Sequence, residues 1–94
     1  MPKAQDAEVA YRIPERVAAR TVAGEVVLLD LESGTFFSLN ATGTSVWRGL
    51  VNAESHADIV AGLVSDYDVT ETIAAADMDE LLRDLEANGL VERP

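Results

Sequence analysis

His56 is the single imidazole among 94 residues, and the chain has no cysteine, so no second nitrogen or sulfur ligand exists to complete a metal site of the usual kind. A surface position in the first turn of a helix is its expected place. Asp77, Asp79, Glu80 and Asp84 offer enough carboxylates for a hard cation, but they lack the loop spacing and turn glycine of a calcium loop. They read as a solvated helix face. Asp77 and Glu80, like Glu80 and Asp84, sit on adjacent turns, where like charges weaken a helix unless something positive lies nearby. Neither a nucleophile elbow, a phosphate-cradling glycine loop nor a dinucleotide fingerprint is present. Gly24 and Gly34 fit turns, while Gly43, Gly49 and Gly62 fall within helical patterns. The chain is therefore expected to be no enzyme and to carry no cofactor and no metal.

What remains is the chemistry of the backbone. Thr35-Phe36-Phe37-Ser38-Leu39 has the composition of a short strand and lacks the lysine or proline that commonly blocks an exposed edge. Such an edge can accept an extended peptide as its next neighbour. The two adjacent aromatics must point to opposite faces. One is expected to fill the core and the other to wall a groove, with the long acidic third helix opposite; the alternative is that both simply belong to the core and a small helix-facing surface. Each ladder bond gives a net of roughly 0.5–1.5 kcal/mol, so specificity must come from pockets that bury peptide side chains at about 1.5–3 kcal/mol each. Aspartate at Phe36, or proline at Thr35 or Phe37, is expected to weaken such binding unless the amide concerned faces inward.

The elements that must position this strand follow from periodicity. From Val17 to Leu39 the chain is rich in β-branched and aromatic residues and is broken by Ala23-Gly24 and by Glu32-Ser33-Gly34, giving strands at about Val17–Val22, Glu25–Asp30 and Thr35–Leu39. Gly34 can take the positive φ of a three-residue loop. Val27 and Leu29 share one face of the middle strand and Val26 and Leu28 the other, so both faces are expected to be covered, at least in a complex with a partner. After Asn40 the period becomes helical. Val46, Trp47, Leu50 and Val51 mark a first helix capped by Asn40 or Thr42; Ile59, Val60, Leu63, Val64 and Tyr67 mark a second, possible cap Ser55. A third helix from about Glu71 to Asn88 carries Met78, Leu81, Leu82 and Leu85, with Ile73 and Ala74 near its start, Gly89 as its stop and Leu90 closing its end. The order predicts one α+β domain over 11–94, three antiparallel strands followed by three helices, preceded by a flexible arm at 1–10 in which Val9 begins an alternation with Tyr11 and Ile13.

Charge narrows the partners. The net charge is −10, and residues 54–94 hold eleven acids against two bases. Nucleic-acid binding needs a basic face, which this chain lacks, and a basic partner is favoured instead. Three helices beside a hairpin are also the architecture of winged helix-turn-helix regulators, but the third helix offers Arg83 alone toward a groove. With no signal-like or membrane-length apolar run, a cytoplasmic location and no membrane partner are expected.

The block Val26-Val27-Leu28-Leu29-Asp30-Leu31-Glu32-Ser33-Gly34-Thr35-Phe36-Phe37-Ser38-Leu39-Asn40-Ala41-Thr42-Gly43, followed by Val46-Trp47 and by Leu81-Leu82-Arg83-Asp84-Leu85-Glu86-Ala87-Asn88-Gly89-Leu90-Val91, resembles the PqqD-like family over about residues 14–92. The resemblance implies a winged-helix-like recognition element that clamps the leader of a ribosomally made precursor peptide between its third strand and third helix. By position it implies a peptide edge at Thr35, Phe36, Phe37, Ser38 and Leu39, and a facing wall of Met78, Leu81, Leu82 and Asp84 or their neighbours. The turn at Asp30–Gly34 and the Trp47 position look more like the discrete recognition subunits of lasso-peptide systems than like the protein of pyrroloquinoline-quinone synthesis. A leader protease, then a cyclase, would be the partner enzymes. The acidity of the third helix departs from the family and leaves the peptide's preferred sequence open. A winged-helix DNA-binding regulator, a peptide chaperone of pyrroloquinoline-quinone synthesis and a structural or dimerisation subunit are the competing readings.

Overall fold

The computed structural model describes residues 11–93, so the expected arm at 1–10, Val9 included, lies outside the described residues. Strands β1 (Val17–Val22) and β2 (Glu25–Asp30) pair antiparallel from Val17 opposite Asp30 to Val22 opposite Glu25. Ala23 at φ +52° and Gly24 at φ +84° close them. Two successive left-handed residues make the tight turn whose twist matches that of the flanking strands.

A second hairpin leads to β3 (Phe36–Ser38). Its turn is organised by Asp30, whose carboxylate accepts the Glu32 amide at 2.9 Å and the Ser33 amide at 3.2 Å. Gly34, at φ +77°, donates its amide to the Asp30 carbonyl at 2.7 Å. Arg16 adds a guanidinium contact to the Asp30 carboxylate at 3.3 Å and donates to the Gly89 carbonyl at 2.6 Å, tying the turn to the end of the last helix. The amide bonds, foremost that from Glu32, hold the Asp30 carboxyl below the ordinary carboxylate range against the opposing effect of desolvation.

Three helices follow: α1 (Ala41–Val51), α2 (His56–Asp66) and α3 (Glu71–Ala87). Each begins where a side-chain oxygen accepts an otherwise unpaired amide: Asn40 from Gly43, Ser55 from Asp58 and Thr70 from Ile73. Of the two caps open for α1, Asn40 is the one used. Gly89, at φ +71°, ends α3 as a left-handed residue, and Leu90 behind it is fully buried.

The core has two connected parts. Under the sheet, Val26, Leu28 and Leu39 meet Trp47, Leu85, Leu90 and Val91; between the helices, Val46, Ile59, Val60, Leu63, Ala74, Met78 and Leu82 pack together. Tyr11 touches both parts. Arg12 and Glu92 exchange backbone bonds at 2.8 Å in each direction, a short antiparallel bridge that fixes the tail as an extended segment. No helix among the described residues is long and apolar enough to cross a membrane.

The architecture is the expected α+β one, with two local differences. Strand β3 is narrower than Thr35–Leu39, although Thr35 and Leu39 still bond to β2 at its ends. Ile73 and Val64 lie on the solvent side of their helices, because the bundle needs only one stripe from each. The sheet is buried on a single face: Val26 and Leu28 are buried, whereas Val27 and Leu29 on the other side are only half-buried. Gly49 of α1 lies against α2, where an added Cβ would come within 2.6 Å of Ile59 Cγ1.

Candidate functional site

The sheet order is β1-β2-β3, so β3 is an edge, and among the described residues no backbone occupies its outer side. Ladder alternation decides what that side offers. Asp30 donates its amide to the Thr35 carbonyl and Leu39 donates to the Val26 carbonyl, both at 2.9 Å, and between them Phe37 lies opposite Leu28. The backbone groups of Phe37, with the Thr35 carbonyl and the Leu39 amide, are therefore turned inward toward β2, and those of Phe36 and Ser38 point out of the sheet. Proline at Phe37 would strike the side of the strand that faces the sheet, and proline at Thr35 would remove an amide that donates to the Ser33 hydroxyl within the turn at 3.2 Å. The positions that probe the open margin are Phe36 and Ser38.

The aromatics divide differently from the expectation. Phe37 shares a face with Leu28, so it packs against the core and walls the adjacent groove at once. Phe36, opposite Leu29, lies on the uncovered face and is 68% exposed.

Beside β3 runs a groove of about 420 Å³. One wall is the stretch Phe37 to Asn40, and α3 forms the other with Asp77, Met78, Glu80, Leu81 and Asp84. Thr42, Gly43 and Val46 of α1 close one end. Leu39, Val46 and Met78 are buried core residues whose upper surfaces make an apolar floor, while the acidic side chains stand exposed on the helical rim. Past the end of β3, the Val26 amide donates to the buried Thr44 hydroxyl at 2.9 Å, so α1 is clamped to the sheet where the ladder stops.

Of the residues singled out from sequence, Phe37, Ser38, Leu39, Met78, Leu81 and Asp84 surround this groove. Thr35 sits before it, Phe36 on the opposite sheet face, and Leu82 points into the helical core instead. Asp77 and Glu80 also line the groove; the sequence reads them as a solvated face and includes them in the facing wall only as unnamed neighbours of Met78 and Leu81. Their signal was their position one residue before Met78 and one before Leu81, but periodicity alone does not say which flank of a core stripe faces a hollow. His56 starts α2 and meets Asp79 at 2.9 Å, away from the groove. No group of three or more potential metal ligands is gathered among the described residues.

Comparison with known proteins places the chain in a family. No curated protein matches the chain. A solved structure described as TbiB1 in complex with the TbiA(beta) leader peptide is similar at 32% identity and a TM-score of 0.80, covering 86% of this chain and 94% of that one. Another, lasso peptide synthetase B1 complexed with the leader peptide, is similar at 30% identity and a TM-score of 0.82, covering 87% and 96%. The family model of coenzyme PQQ synthesis protein D matches residues 25–91, from the start of β2 through the buried tail. The match thus spans both walls of the groove, and the chain belongs to the PqqD family.

Proposed function

We propose that this chain binds the leader region of a ribosomally made precursor peptide as an added strand on β3 and presents it to a maturation enzyme. The observation that carries the reading is a strand margin, unoccupied among the described residues, lying directly beside a groove with an apolar floor. Two similar structures are complexes with a leader peptide, which supports the same role here. The outward amides and carbonyls of Phe36 and Ser38 supply backbone bonds, and the floor of Leu39, Met78 and Leu81, with Phe37 beside it, takes the peptide side chains that turn inward. Asp84 stands at the rim, Thr35 starts the strand, and Leu82 supports Met78 from behind. The role is non-catalytic, and the natural partners are a leader protease and, after it, a cyclase of a lasso-peptide system in the cytoplasm.

Isothermal titration with synthetic leaders from small open reading frames beside the gene tests the first step. One-to-one binding that Ser38→Pro abolishes, with an unchanged circular dichroism spectrum, is expected. Absence of heat with every such leader would sink the proposal. Co-purification with the neighbouring protease, with and without leader, tests the presentation step.

A further inference from the structure

The carboxylates of α3 differ in what they meet. Asp79 meets His56 and Glu86 meets Arg93, each at 2.9 Å, and neither acid lines the groove. Asp77, Glu80 and Asp84 do line it, and none of them enters an ion pair among the described residues. Their spacing sets them in a row about 10 Å long on one flank of the helix. Neighbours in that row are like charges on adjacent turns, which costs the helix some stability and returns nothing to the fold of the free protein. Arg83, the nearest basic residue in sequence, makes no ion pair with them.

We infer that the groove selects an extended peptide carrying lysine or arginine at alternate positions, the ones whose side chains turn toward α3. The inference rests on the peptide-binding reading and adds the chemical class of the occupant. A strand laid along β3 sends successive side chains to opposite faces, and those on one face recur about every 6.8 Å. The acidic row therefore spans two groove-facing positions, residues i and i+2 of the peptide. Long cationic side chains fit both parts of the groove: their methylene stems cover the floor at Met78 and Leu81, and their charged heads reach Asp77, Glu80 and Asp84. Acidic residues at the same positions would meet like charge beside an apolar surface and are excluded.

The test is selection from a displayed library of random short peptides against the full chain and against the isosteric variant Asp77→Asn/Glu80→Gln/Asp84→Asn. Selection on the unmodified chain is expected to enrich lysine or arginine two residues apart. The variant is expected to lose that enrichment, to bind the best selected peptide about tenfold more weakly and to show a flatter dependence on sodium chloride. Its melting temperature should equal or exceed that of the parent, since repulsive pairs have been removed. Tight binders without basic enrichment, or equal affinity for the variant, would overturn the inference and leave peptide binding intact. A selection that enriches no sequence at all would overturn the peptide-binding reading and this inference together.

Discussion

The amide of Val26 donates to the hydroxyl of Thr44 at 2.9 Å, with Thr44 only 2% exposed, and this bond joins the first residues of β2 to α1. Without it a buried N–H at the top of the sheet has no partner. Thr44→Val keeps the shape and removes the acceptor, so a loss of about 1–3 kcal/mol is expected in urea unfolding. Thr44→Ser should recover most of it.

Amide hydrogen exchange should report the two sides of β3 separately. In the free protein the amides of Phe37 and Leu39 are expected to be protected, and those of Phe36 and Ser38 to exchange fast. Adding a cognate leader should slow the second pair. Slow exchange at Ser38 before any peptide is added would contradict an open margin.

The two phenylalanines should separate binding from stability. Phe36→Ala removes a side chain that is 68% exposed and should change stability by no more than about 0.5 kcal/mol. Phe37→Ala, at a half-buried position against the core, should cost about 1–3 kcal/mol. Phe36→Asp is expected to leave the melting temperature nearly unchanged while weakening peptide affinity, because the charge lies on the face where the added strand's outward side chains pass.

Asp30 links pH to the shape of the second turn. Its folded pKa lies below the ordinary carboxylate value, so the charged form stabilises the fold fully above about pH 4. That stabilisation is lost progressively as pH falls through the folded value. Asp30→Asn should therefore be less stable than the parent at neutral pH, with the gap closing in strong acid. A gap of constant size across the acid range, measured by thermal melts, would show that the charge does not act in this way.

Gly49→Ala should destabilise although alanine is the better helix former. The added methyl lies 2.6 Å from Ile59 Cγ1 and 2.9 Å from its Cδ1, and forcing α1 from α2 costs about 1–3 kcal/mol against a propensity gain of about 1. Chemical denaturation measures the balance directly.

Much of this molecule was legible in the sequence because its signals are local. Ala23-Gly24 and Ser33-Gly34 announce the hairpins, Ser55 announces a cap, and Gly89 with Leu90 announces a stop, each through the backbone geometry of a few residues. The groove was legible only in part. Leu81 and Leu82 are adjacent members of one apolar stripe, and a rotation of about 100° per residue sends one to the hollow and the other to the core. That choice depends on how α3 sits against α1 and β3, which no short window contains. Asp30 was hidden for a related reason: its work is done through the amides of Glu32 and Ser33 and through Arg16, and composition reads it as one more surface charge.

The bridge between Arg12 and Glu92 brings the two ends of the described chain side by side, and neither residue borders the groove. A polypeptide spliced onto one end would depart from the same corner at which the other arrives. The module can thus be grafted into a loop of a larger protein, or tethered through either end, with the receiving edge of β3 left unobstructed.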